Sequence, residues 1–347
     1  MQRKRRIRLF ALATLLTAFL AALGWFFLPE RDQMFHGKPE SEWLTNIVYE
    51  TQLSDDENKA QAQQWRDFGP EGLPVLERGL KPPPGHRYRK FWLRHARKFP
   101  RWVLTLLPRP ARVRYEGTQV RVLGLLCRME TNAWPAWRAV ARALDDENPV
   151  VQQTAVNFFT WPQDDSAFLN HMPARDKKTV LPLFLRALEG QSNWGLPCNA
   201  ALALRYYPEE KPVVIPALAK ALGHREPHVR LMVAESLNRI DPAAAGRVGV
   251  VQALEAIMLR PDDQMAARAA AELRNCRNDA DEAVAALIKG LQSTNPDLSC
   301  VAIWSLETFP SHADTVIPEL RKVAERKDDA ARCATNAIKK LESYQRR

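Results

Sequence analysis

"PHVRLMVAESLNRIDP", residues 227–242, has a proline near each end and apolar side chains at Val229, Val233, Leu237 and Ile240. Steps of four, four and three residues set those side chains in one stripe along three turns of helix. "VVQALEAI", residues 250–257, follows as a second amphipathic segment. The stripe is not unique to this place. It recurs as Thr118, Val122, Leu126, Met129; as Val151, Ala155, Phe159; and as Leu196, Ala200, Leu204, Tyr207. It continues as Met265, Ala269, Leu273, Cys276; as Leu298, Ala302, Leu306, Phe309; and as Ala330, Ala334, Ile338, Leu341. The first members lie 33, 45, 33, 36, 33 and 32 residues apart. A helix pair of that length cannot bury both of its helices alone, so stacked pairs must share a core.

The second helix of each pair has its own mark, an apolar residue followed by proline. It appears in "LPVLERGL" at 73, "LPLFLRAL" at 181, "IPALAKAL" at 215 and "IPELRKVA" at 317. Proline is tolerated in a first turn, where no amide donor is needed, so each is expected to start its helix. "DDENP", "GHREP" and "STNP" turn the chain into the next pair. Strand patterning is absent, and the expected fold is all-α, an α-solenoid of stacked helix pairs.

"PHVRLMVAESLNRIDP" with "VVQALEAI" resembles a HEAT repeat, of the short kind grouped with phycobiliprotein-lyase subunits. "FHGKPESEWL" at 35 and "GPEGLPVLERGL" at 69 resemble exported bacterial HEAT-repeat proteins, and the likeness spans roughly residues 35 to 345. It implies a binding scaffold. An enzyme, or an enzyme accessory of lyase-like or hydroxylase-like type, is the alternative it leaves open. "SEWLTNIV" at 41 is expected to cap the array, with Ser41 as N-cap and Trp43, Leu44, Ile47 and Val48 on one side. Another early unit is expected from Asp55 to Leu80, with Trp65 and Phe68 on its first helix.

Ahead of the array, a basic head at 1–8 precedes "LFALATLLTAFLAALGWFFL" at 9–28, which carries no charge. Twenty helical residues span about 30 Å, the hydrocarbon thickness of a bilayer. The basic flank predicts a signal anchor with its N-terminus in the cytoplasm and the body outside. A cleaved signal, cut after Ala22-Leu23-Gly24, is the competing expectation and would release a secreted form. The predicted organisation is therefore a head at 1–8, a transmembrane anchor at 9–28, a linker and capping helix at 29–52, and a solenoid at 53–347. A basic-aromatic insert at 81–117 interrupts the solenoid.

The 347 residues carry 50 Lys and Arg against 40 Asp and Glu, a net charge of +10. Five of the basic residues sit in the head and twelve between Arg78 and Arg114, where no acid occurs. The remainder is 33 basic against 40 acidic residues, which excludes the diffuse basic coat of a general nucleic-acid binder. Within the insert, Arg87, Arg89, Lys90, Trp92, Arg94, Arg97, Lys98, Arg101 and Trp102 mix cations with aromatics. Two readings stand: aromatics packed on the array with solvated cations, or a patch for acidic lipid headgroups or another anion. Nucleic acid would use the same residue types, but export makes it an improbable partner. The expected partners are an unidentified protein or other macromolecule, and the bilayer through 9–28.

No metalloprotease pair, P-loop, nucleophile elbow, dinucleotide fingerprint or CxxC occurs, and no His is followed directly by Glu. The expectation is no cofactor, no metal and no catalytic residue. His224 and His228 bracket a turn between repeats and are read as solvated, since a metal pair would need further ligands. Cys127, Cys198, Cys276, Cys300 and Cys333 are read as small core residues. Cys300 and Cys333 fall at nearly matching places on adjacent first helices, and a bridge between them is the weaker alternative. A last pattern is a basic residue before a small one near the end of second helices: Arg78, Arg142, Arg186, Lys220, Lys289 and Lys322. It reads either as cations complementing helix C-termini or as a basic row on the concave face.

Overall fold

The structure, a computed structural model, describes residues 32–48, 53–81, 92, 95, 98, 117–162, 166–190, 194–260 and 265–345. The head at 1–8 and the apolar run at 9–28 lie outside the described residues. Among the described residues no helix is long and apolar enough to cross a membrane. The chain divides into two compact units, Met1–Val140 and Ala141–Arg347.

The first unit opens with a two-stranded antiparallel ladder, β1 (Met34–Phe35) on β2 (Lys38–Pro39). This corrects the expectation that strands are absent. His36 and Gly37 turn the chain at φ 46° and 77°, and paired positive φ values match the twist of a two-residue hairpin. Helix α1 (Glu40–Thr45) starts directly after it. Ser41 is not its N-cap; Pro39 holds that position without a side-chain bond. Instead, the Asp32 carboxylate accepts from the Ser41 amide at 3.1 Å and from the Ser41 hydroxyl. An acid brought back by the hairpin thus caps the helix from outside its own sequence.

Helix α2 (Asp55–Asp67) starts at a capping box in which Ser54 and Glu57 each accept from the other's amide. Helices α3 (Gly72–Gly79) and α4 (Thr118–Arg128) complete the unit's described helices up to α5 (Trp137–Ala143). The centre of this unit is an aromatic cluster. Phe35 stacks on Trp65 at 6.3 Å between ring centres, and Trp43 and Phe68 meet them edge-on. The Trp43 indole donates to the Phe35 carbonyl at 2.8 Å. Trp65 is 2% exposed, so this cluster is the apolar seat of the capping helix.

The second unit is a stack of helix pairs. Its first helices are α6 (Pro149–Thr160), α9 (Gly195–Leu204), α11 (Pro227–Ile240), α14 (Ala266–Leu273), α16 (Pro296–Leu306) and α18 (Asp329–Gln345). Its second helices are α8 (Ala174–Leu188), α10 (Lys211–Ala221), α13 (Val250–Met258), α15 (Ala280–Gly290) and α17 (Ala313–Ala324). Short α7 (Phe168–His171) and α12 (Pro242–Arg247) lie inside two of the pairs. Successive first helices pack on each other from α6 to α11 and from α14 to α18, and α13 together with side-chain bonds joins α11 to α14, so their stripes merge into one core. The stripe residues read from the sequence are buried, apart from Thr118, Met265 and Ile338, which are half-buried.

Proline takes a different place from the one expected. Pro149, Pro227 and Pro296 open first helices, two of them behind an asparagine cap: Asn148 accepts from the Val150 amide and Asn295 from the Asp297 amide, each at 3.0 Å. Among the second-helix prolines, Pro74 sits in a first turn, but Pro182, Pro216 and Pro318 lie inside helices that begin several residues earlier. Each of these prolines removes one intrahelical donor, and the turn before it is nonetheless packed, with Val180, Val214 and Val316 fully buried.

Candidate binding surface

The six basic residues of the recurrent pattern do not form a common free row. Arg78 lies in the first unit and forms a two-pronged pair with Glu40, its Nε donating at 2.6 Å. Glu40 is 6% exposed, so this pair ties α1 to α3 and is internal architecture. Arg142 is exposed near the end of α5. In the second unit, Arg186 reaches Asp145 at 2.8 Å, Lys220 reaches Glu189 at 2.9 Å, and Lys289 reaches Glu255 at 2.5 Å. Each bond runs from one second helix to an acid about one repeat earlier. Lys322 breaks the series by pairing with Glu319 on its own helix at 2.7 Å.

The arrangement is an ion-pair ladder rather than a basic strip. It carries almost no net positive charge, because each rung brings its own acid. Lys220 holds Glu189 below the usual carboxylate range, chiefly through the hydrogen bond, and Glu189 raises Lys220 in return. The exposed rungs are individually weak. Helix-end placement of the cations agrees with the dipole reading, and the partner acids are what the sequence alone did not reveal.

Between α8 and α10 the ladder borders a groove of about 500 Å³ lined by Leu185, Arg186, Glu189, Val213, Ala217 and Lys220, with Leu188, Ala221, Gly223 and His224 completing the wall. Its floor is apolar. Val213 is 48% exposed although its neighbour Val214 is fully buried. Nothing in "KPVVIPALAK" separates those two valines, since both count equally toward an apolar pattern. The first unit has a shallower concavity of about 450 Å³ between α3 and the turn after α4, lined by Arg66, Leu73, Glu77, Met129 and Asn132 among others.

His224 is buried, at 9% exposure, which corrects the solvated reading of its turn. Its Nδ1 accepts from the Glu226 amide at 3.1 Å, and its carbonyl accepts from Arg230 at 2.9 Å. This histidine fastens the turn between α10 and α11. His228 instead lies tilted by 31° against the ring of exposed Trp194, 4.7 Å between ring centres. The two rings are therefore engaged separately. Among the described residues, no three His, Cys, Asp or Glu side chains gather where they could hold a metal ion.

Cys198, Cys276 and Cys300 are buried, whereas Cys127 and Cys333 are half-buried. Burial pushes the Cys198 thiol up to about 12 and that of Cys276 up to about 11. Neither is a nucleophile at neutral pH. In the insert, Trp92 is half-buried in a helical turn and Lys98 is exposed. Arg87, Arg89, Lys90, Arg94, Arg97, Arg101 and Trp102 lie outside the described residues.

Residues 181–275 match the profile of HEAT repeats. Among solved structures, an engineered protein is 16% identical over 87% of this chain and 78% of its own, with a TM-score of 0.44. A second engineered protein is 18% identical over 60% of this chain and 96% of its own, with a TM-score of 0.41. YibA of Escherichia coli is 13% identical over 76% of this chain and 98% of its own, with a TM-score of 0.43. No curated protein matches the chain. The matched segment holds helices α9 to α14 and the end of α8 that lines the groove, and it is this part of the chain that is similar to HEAT repeats.

Proposed function

We propose that the protein is a non-catalytic scaffold that docks a partner protein on the second-helix edge of its repeats. The observation that carries this reading is the groove between α8 and α10: an apolar floor with Val213 48% exposed, framed by the pairs Arg186–Asp145 and Lys220–Glu189. An apolar side chain of the partner would fill the floor, while polar groups at its rim exchange hydrogen bonds with the rungs. Such a surface rewards shape and apolar contact, and it presents no nucleophile and base within reach of each other. The body is held at the outer face of the membrane by the run at 9–28.

The test is capture of the partner in the native membrane with a photo-crosslinking residue at Val213. The crosslinked band should be lost in Val213→Glu and Ala217→Glu variants that keep their helicity. Equal capture by those variants would remove the groove from the reading. A reporter fused after Arg347 that is active in the cytoplasm would remove the topology.

A further inference from the structure

We propose that Cys300 and Cys333 are a disulfide-forming site that clamps α18 to α16. Cys300 lies two residues after the stripe residue Leu298 and Cys333 three after Ala330, on successive first helices that pack together. Their Sγ atoms stand 2.7 Å apart. That is well inside the contact distance of two non-bonded sulfurs and within a small side-chain rotation of the roughly 2.05 Å bond. Repeat packing, which sets both helix axes, has thus brought two thiols into bonding reach one repeat apart.

The two thiols are not equivalent. Cys300 is 8% exposed and Cys333 is half-buried, so Cys333 is the one an oxidant can reach. Burial pushes the Cys300 thiol up to about 12, with Cys333, Asp329 and Asp297 adding to the effect. The order of events follows. Cys333 gives its proton to solvent and attacks a small-molecule disulfide such as oxidised glutathione, expelling one glutathione thiolate. Cys300 then loses its proton and attacks Cys333 Sγ, expelling the second. Two electrons leave the cysteine pair and reduce glutathione disulfide to two thiols.

Among the described residues α18 has one first-helix neighbour, α16, and the bond would act on that seam. Closing the loop of 33 residues between the cysteines restricts the opened state. This inference is separate from the docking reading, since it concerns the opposite end of the second unit and needs no partner.

The experiment uses the full chain, purified in detergent in the reduced state and then equilibrated with glutathione disulfide. A non-reduced digest should contain one cross-linked pair joining the Cys300 and Cys333 peptides, lighter by two hydrogens. Amide exchange across α18 should slow on the order of 100-fold relative to the reduced chain. Cys300→Ser and Cys333→Ser should each abolish that slowing, and Cys276→Ser should leave it intact. The proposal is overturned if both thiols stay open to alkylation, if Cys333 rests as a mixed disulfide with glutathione, or if either joins another cysteine. The oxidised and reduced wild-type chains decide the matter even if a variant folds poorly.

Discussion

A single side chain can hold a whole repeat in place when it sits where several elements meet. Trp65 does so in the first unit: it is 2% exposed, parallel to Phe35 and edge-on to Trp43 and Phe68. These rings come from β1, α1, α2 and the residue just after α2, so the indole joins the hairpin to the first repeat. Trp65→Ala should cost roughly 3–5 kcal/mol of that unit's stability, read as a lower denaturant midpoint for the tryptophan fluorescence of the first unit. A cost below about 1 kcal/mol would mean that the cluster is incidental. Trp65 was legible as a helix residue, but its partner Phe35 was not, because the hairpin that delivers it leaves no period-two pattern over two-residue strands.

At the level of the helix, the recurrent basic–small pair has two separate causes. Where the small member is glycine, it sits at a close approach to the neighbouring helix. A Cβ on Gly290 would meet Met258 Sδ at 3.0 Å and Ala302 Cβ at 3.4 Å, and one on Gly79 would meet Leu44 Cδ2 at 2.7 Å. At Arg186, Lys220 and Lys289 the basic member faces outward and pairs with an acid about one repeat earlier. Packing should therefore outweigh charge. Gly290→Leu is expected to destabilise the second unit by about 1–3 kcal/mol, whereas Lys289→Ala, on an exposed rung, should cost under about 1 kcal/mol. Chemical denaturation of both variants checks the order, and a larger loss from Lys289→Ala would reverse the assignment of causes.

On the scale of the molecule, stability in the second unit is a sum over neighbours. Helices α11 and α14 have first helices on both sides, and polar bonds join them to adjacent repeats: Ser236 donates to the Ala201 carbonyl at 2.8 Å, Asn238 to Glu272 at 2.9 Å, and Arg268 forks onto Glu235 at 2.8 and 3.0 Å. Helix α18 has no following repeat among the described residues. Amide exchange of the reduced chain should accordingly be slowest in α11 and α14 and fastest in α18. Uniform protection across all first helices would show a single cooperative block instead.

The sequence by itself determined the all-α class, the repeat period, the stripes that become the core and the turns that separate the pairs. Those are properties of residues close in the chain, and a helical stripe such as Val229, Val233, Leu237 and Ile240 needs only local spacing to be visible. Tertiary structure decided what depends on residues a repeat apart: which acid answers Lys220, that Arg78 is locked to Glu40, and that Val213 opens onto a groove while Val214 does not. It also decided that Pro182, Pro216 and Pro318 lie within helices and not at their starts. The physical reason is the same in each case. A repeat fixes the pattern of its own helices, but the position of a side chain at a seam is set by the neighbour packed against it, about 33 residues away in the chain.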